Sequence, residues 1–165
     1  MKLNAMIDHA HIIALLDEVK DPEIPVINLR ELGVLREVKV ENDEVEVTIT
    51  PTYSGCPAMD VMRIGVEQAL RKGGVGRFTV KQVLSPAWST DQISEEGRRK
   101  LLEYGIAPPP HSADIRALKG KLPAIACPQC GSKDTEMVSH FGSTACKALY
   151  KCRACKEPFD HFKCH

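Results

Sequence analysis

Seven cysteines punctuate this 165-residue sequence, and six of them lie beyond residue 126. CPQC at 127–130 and CRAC at 152–155 each offer two thiols from one tight loop, with 21 residues between the pairs. Cys127, Cys130, Cys152 and Cys155 thus supply four soft thiolates, the preferred ligand set of a structural Zn2+ ion. The same four could hold an iron–sulfur cluster instead. Neither CxxC pair follows a strand at the head of a long helix, so thioredoxin-like chemistry fits poorly. Cys146 and Cys164, with His140, His161 and His165, are surplus to a four-ligand site. Any of them could replace a ligand or build a second site, but packing is the plainer role for Cys146.

Cys56 stands apart, in PTYSGCPAMDV at 51–61. Pro57 suits a first helical position, which puts Cys56 near the helix N-cap. Unpaired N–H groups and the helix dipole there favour a thiolate, while Asp60 would oppose it if its charge faced the sulfur. The bland reading is an inert thiol closing the loop against the core. The functional readings are a transient ligand for iron or an iron–sulfur cluster, or a nucleophile. A nucleophile needs a base in contact, and nothing in the sequence ties His9 or His11 to Cys56. Asp21 and Glu23, in DPEIPV, could approach the cysteine loop as oxygen ligands or an acid–base pair, although turn capping is their ordinary use. GGVG at 73–76 lacks Walker or Rossmann surroundings, and no HExxH motif is present. No catalytic residue is assigned.

These groups need positioning elements. Ile12, Ile13, Leu15, Leu16 and Val19 trace a helical stripe over about residues 6–19, ended by the prolines of DPEIPV. Segments 32–40 and 44–50 read as strands, the second from the alternation of Val45, Val47 and Ile49, and ENDE supplies the hairpin turn. A helix follows the cysteine loop to Gly73-Gly74, with Val61, Ile64, Val66, Ala69 and Leu70 expected on its buried face. A third strand spans 77–84, Trp88 packs the Pro86 loop, and Ser94 caps a helix that Gly105 ends. The order α-β-β-α-β-α predicts a small two-layer α/β (α+β) domain over residues 1–106. A Pro-rich linker is expected at 107–124. Residues 125–165 then form a small zinc-ribbon-like domain that metal must stabilise, with Tyr150, Phe159 and Phe162 either as its miniature core or as faces on which bases could stack.

Lys plus Arg and Asp plus Glu both number 22, so the formal charge is zero. That balance argues against nucleic acid as a partner, apart from a local patch of ribbon lysines. No apolar run long enough for a membrane span appears, nor a signal peptide. Paired cysteines without an export signal point to a reducing cytoplasm and metal-bound thiolates rather than a disulfide framework.

Three stretches carry a resemblance: DPEIPVINLRELGVLREV, TPTYSGCPAMD and LSPAWSTDQISEEGRRKLLEYGIAPP. They are similar to the domain shared by SufT-type and related iron–sulfur assembly proteins. With CPQCGS and FGSTACKALYKCRACKEPFDHFKCH added, nearly the whole chain resembles the phenylacetate-degradation protein D family. The resemblance implies an accessory or maturation protein of a phenylacetyl-CoA epoxidase system. Its partners would be epoxidase components, either the di-iron oxygenase or its iron–sulfur reductase, together with the iron–sulfur assembly machinery. It also implies a reactive thiol at Cys56, with Asp21 and Glu23 in the matching DPE motif. The distal cysteines would hold structural Zn2+, and Cys56 would carry iron or a cluster only transiently. A homodimer pairing two Cys56 thiols is left open. So is a structural subunit that carries no iron.

Overall fold

The computed structural model describes residues 8–112 and 123–163, and the chain divides into two units, Met1–Trp88 and Ser89–His165. The first contains α1 (His9–Asp17), β1 (Leu35–Glu41), β2 (Glu44–Ile49), α2 (Met59–Lys72) and β3 (Arg77–Gln82). Its sheet runs β1-β2-β3, with β1 antiparallel and β3 parallel to β2. Asn42 and Asp43, at φ 49° and 62°, make the two-residue hairpin turn. Left-handed backbone at both central positions matches the twist of paired strands, and Asn and Asp tolerate it. Parallel pairing of β2 with β3 demands a crossover, which α2 provides.

Alternation along β2 buries Val45, Val47 and Ile49 completely, while Glu46 and Thr48 stay half-exposed. Ile12 and Leu16 of α1 join them, with Met59, Met62, Val66 and Leu70 of α2. Each such apolar side chain, fully buried, contributes roughly 1.5–3 kcal/mol. Gly73 allows α1 to come close, since a Cβ there would lie 2.1 Å from a Leu15 methyl. The buried face of α2 differs from the expected one. Val61 and Ile64 are 55% and 45% exposed. The 59/62/66/70 spacing follows the helical period, so two flexible methionines take the core positions and the β-branched pair is turned outward.

The second unit opens with a 3-10 turn, Thr90–Gln92, and α3 (Glu95–Glu103), whose Gly97 amide donates to the Ser94 hydroxyl at 3.0 Å. β4 (Ile106–Ala107), β5 (Thr135–Ser139), β6 (Lys147–Cys152) and β7 (Pro158–Phe162) follow, in sheet order β4-β7-β6-β5. β4 runs parallel to β7, and the other pairings are antiparallel. The chain therefore divides after Trp88, whereas the sequence reading places the division after residue 106. The pairing of β4 with β7 joins the α3 segment to the ribbon sheet, and Arg98 fastens the prolines after β4 back to α3. The buried Arg98 guanidinium donates to the carbonyl of Pro109 and, at 2.7 Å, to that of Thr90. Thr90 Oγ1 in turn donates to Pro110. The first prolines of the expected linker are thus fastened to α3, and 113–122 lie outside the described residues.

His161 on β7 is buried, with Nδ1 3.1 Å from the Ala107 carbonyl. Burial holds its pKa below the usual histidine value, so the neutral ring donates that bond and ties β4 to the sheet. Among the described residues, no helix is long and apolar enough to cross a membrane.

Candidate metal centre and thiol site

The two knuckles converge in the second unit. The sulfurs of Cys127, Cys130, Cys152 and Cys155 all lie within 4.8 Å of one another. Cys127 is 3.7 Å from Cys155, and Cys130 is 3.6 Å from Cys152. Sulfurs at tetrahedral corners about 2.3 Å from one ion are separated by about 3.8 Å. The donor set therefore fits a single tetrahedral metal ion. A cluster, with its irons spread apart, needs its thiolates further from one another.

Local chain geometry builds each knuckle. Gly131, at φ 73°, turns the chain after the first pair, and its amide donates to the Cys127 carbonyl at 2.8 Å. Lys156 takes the corresponding place after the second pair at φ 70°. Cys152 and Cys127 are buried among Ile125, Ala148, Tyr150 and Phe159, while Cys130 and Cys155 face outward. Tyr150 and Phe159 stack at 5.8 Å, so these aromatics pack the ribbon rather than present faces for bases.

The thiols share their protons unequally. The Cys155 amide, and then the neighbouring thiols, bring Cys152 down to about 7. At Cys155 the Glu157 amide favours the thiolate, but burial and the three adjacent sulfurs win and push it up to about 12. A divalent cation held by these four cysteines would relieve that conflict by stabilising all four as thiolates and displacing their protons.

The other candidate ligands stand apart from this centre. Cys146 is buried, with its sulfur 3.1 Å from Thr144 Oγ1, and His161 is engaged with Ala107. His140 is exposed. Cys164 and His165 lie outside the described residues. All six described cysteines are free thiols, with no disulfide among them.

In the first unit, Cys56 lies in the turn before α2. Its amide donates to Tyr53 and its carbonyl accepts from Met59, each at 3.3 Å. The helix N-cap is Ala58 rather than Cys56. Cys56 is half-buried, and burial is the main reason its pKa is raised. The Ala58 amide and the Tyr53 hydroxyl pull the other way, while Glu23 and Asp21 add to the rise. The expected lowering by the helix end is therefore outweighed by desolvation and two carboxylates. Asp60 instead projects into solvent, 3.8 Å from Arg63.

The DPE turn holds Asp21 by its own backbone. Asp21 Oδ1 accepts from the amides of Glu23 and Ile24, both at 2.8 Å. Ile24 and Ile27 anchor the turn in the core. The two acids and Cys56 bear on one another electrostatically, yet the four-cysteine set is the only metal-holding group among the described residues. Tyr53 escaped the sequence reading, although its place three residues before Cys56 in one tight turn was the available signal. His9 and His11 are exposed on α1.

This charge arrangement predicts slow alkylation. At neutral pH, iodoacetamide should modify Cys56 more slowly than an unperturbed thiol. Glu23→Gln should lower the thiol pKa and speed the reaction at fixed pH. An unchanged pH–rate profile in Glu23→Gln would show that the carboxylate does not act on the sulfur.

The fold and these two sites define an iron–sulfur cluster assembly domain joined to a zinc ribbon. Residues 9–84 match the family described as "Iron-sulfur cluster assembly protein", and residues 111–163 match the "PaaD zinc beta ribbon domain". An Escherichia coli (strain K12) protein named as a putative subunit of 1,2-phenylacetyl-CoA epoxidase is 44% identical over 152 residues, covering 92% of this chain and 90% of the relative. The chain belongs to that relative's family, the phenylacetate-degradation protein D family. A Porphyromonas gingivalis (strain ATCC BAA-308 / W83) "Fe-S protein maturation auxiliary factor" is 37% identical over 97 residues, 58% of this chain and 89% of the relative. Among solved structures, a DUF59 domain from Bacillus anthracis matches with a TM-score of 0.53 at 29% identity, over 59% of this chain and 97% of that one. Protein TM0487 from Thermotoga maritima matches with a TM-score of 0.50 at 25% identity, over 58% and 94%.

Proposed function

We propose that this protein is an accessory and maturation factor of a phenylacetyl-CoA epoxidase system, presenting Cys56 to iron or an iron–sulfur cluster destined for an oxygenase component. One observation carries the reading. The iron–sulfur assembly domain keeps a half-buried thiol beside Glu23 and Asp21, separate from a complete four-thiolate centre. A separate, incomplete site suits cargo, because donor, client or a second subunit must supply the remaining ligands. The raised thiol pKa favours release as well. Fe2+ must displace the thiol proton to form the Fe–S bond, and a proton held tightly competes for the sulfur. On handover the thiol recovers a proton, with no change in oxidation state.

The ribbon holds structural Zn2+ through Cys127, Cys130, Cys152 and Cys155 and positions partners: the di-iron oxygenase, its iron–sulfur reductase, or the assembly machinery. The 44% identity to a protein named as an epoxidase subunit also favours a second reading. In that reading the protein is a retained structural subunit and Cys56 carries no iron.

The test is anaerobic purification from cells expressing the oxygenase system, followed by zinc, iron and acid-labile sulfide counts per chain. Cys56→Ala should keep its zinc and lose iron and sulfide. Zinc alone in both proteins favours the structural subunit. Iron unchanged in Cys56→Ala would sink the carrier role.

A further inference from the structure

We propose that an open groove on the face of the ribbon sheet opposite its core binds a small molecule that carries a primary carboxamide on a flat apolar ring. The groove has a volume of about 360 Å3, and its lining residues all belong to the second unit. None of them is a candidate metal ligand, so this site is separate from both centres described above.

Strand register places the lining. Ile106 on β4 pairs with Asp160 on β7, which pairs in turn with Leu149 on β6. Directly paired residues share a face, so these three form one row across the sheet. Lys147 and Pro158 each lie two residues from a member of that row, which puts them on the same face. The alternate residues Ala148, Tyr150 and Phe159 take the other face, in the core around Cys127 and Cys152. Tyr104, exposed at the end of α3, adds an aromatic wall to the groove.

An ion pair interrupts this otherwise apolar lining. The Lys147 side chain is only 7% exposed, and its Nζ lies 3.5 Å from Asp160 Oδ2. The loop before β6 holds the pair from behind. Ser143 Oγ donates to the same carboxylate oxygen at 3.0 Å, and a Cβ on Gly142 would lie 2.7 Å from Asp160 Oδ1. The Gly142 amide donates to the Lys147 carbonyl at 2.7 Å, which closes that loop. A buried ion pair adds little stability over apolar residues of the same volume. A mostly apolar groove with a few fixed polar groups is, however, the ordinary form of a small-molecule site.

The opposed charges select the ligand. A carboxylate would gain Lys147 but meet Asp160, and an ammonium would meet the reverse, so a net charge gains little to offset its desolvation. A primary carboxamide answers both groups. Its oxygen accepts from the ammonium and its nitrogen donates to the carboxylate, each as a charge-assisted bond. Oxygen and nitrogen of one amide are about 2.3 Å apart, so the group can span a pair at 3.5 Å. Ile106, Leu149 and Pro158 favour an apolar body beside the amide, and the Tyr104 ring favours a flat one. A partner's asparagine or glutamine carries the amide without the ring, so a small molecule is the better occupant.

The test titrates benzamide, benzoate, benzylamine and propionamide into the full-length, zinc-loaded, isotope-labelled protein, following the Ile106 and Leu149 methyl signals by NMR. Benzamide should shift them with a dissociation constant of about 1 mM, ordinary for so small a ligand. Benzoate, benzylamine and the ringless propionamide should each bind at least about tenfold more weakly. Lys147→Met should weaken benzamide by at least about tenfold and Tyr104→Ala several-fold, both with zinc content unchanged. Should Lys147→Met lose its zinc, Tyr104→Ala carries the test, because that side chain is exposed. Benzamide that shifts neither signal would overturn the inference, as would wild-type affinity in Tyr104→Ala. Benzoate or benzylamine matching benzamide would also overturn it, by showing that the ion pair does not select a neutral amide. Propionamide matching benzamide would do so by removing the ring, leaving a site for a partner's amide side chain.

Discussion

Cys152→Ser should strip the second unit of its metal and of most of its stability. Cys152 is fully buried, and its sulfur is 3.6 Å from Cys130. A serine hydroxyl is a poor soft-metal ligand, and it would be buried in a core of Ile125, Tyr150 and Phe159. A ribbon this small depends on its ion, because zinc binding in such modules supplies roughly 10–16 kcal/mol of folding free energy. Zinc should fall from a full equivalent to less than about a tenth, and proteases should then cut within residues 123–163. Cys146→Ser is the informative control. That thiol is also buried, yet it lies outside the sulfur cluster, so the variant should keep its zinc. Equal zinc loss from both variants would mean that the site is not the four-cysteine set. Acid should reproduce the effect of Cys152→Ser, because protons compete for all four sulfurs as pH falls.

The ligand set is legible in the sequence because CxxC spacing is itself the geometry: two thiols on one turn, and a hairpin to bring two turns together. The α-β-β-α-β-α order is legible for a related reason, as periodicity is local. β2 is the clearest case, its alternation turning directly into complete burial of Val45, Val47 and Ile49. What the sequence hides depends on contacts between distant residues. The phase of α2 could be set either by the β-branched pair Val61 and Ile64 or by Met59 and Met62, and only the packed sheet chooses. The proline run near residue 109 reads as a linker until the Arg98 guanidinium, eleven residues earlier, is found bonded to its carbonyl. The ionisation of Cys56 is hidden in the same way. The helix end is visible in the sequence, but burial and the carboxylates of a turn more than thirty residues upstream are not.

That turn supplies the second large effect. Asp21→Ala should destabilise the first unit by about 3 kcal/mol, since it leaves the Glu23 and Ile24 amides without their shared acceptor at about 1–3 kcal/mol for each buried donor. In a domain of this size that lowers the melting temperature by roughly 10–20 °C. Asp21→Asn separates structure from charge. Its side-chain oxygen can still accept both amides, so the melting temperature should stay near that of the wild type. With the negative charge gone, the Cys56 pKa should fall and alkylation at neutral pH should quicken. If the carrier reading holds, a lower thiol pKa also means tighter iron and slower handover, so Asp21→Asn should accumulate iron while delivering less of it. A melting temperature unchanged in Asp21→Ala would show that the turn does not depend on this carboxylate. Slower alkylation in Asp21→Asn would show that the charge acts on the sulfur with the opposite sign. The two variants together thus decide whether Asp21 is only a turn cap or also sets how firmly the thiol holds its proton.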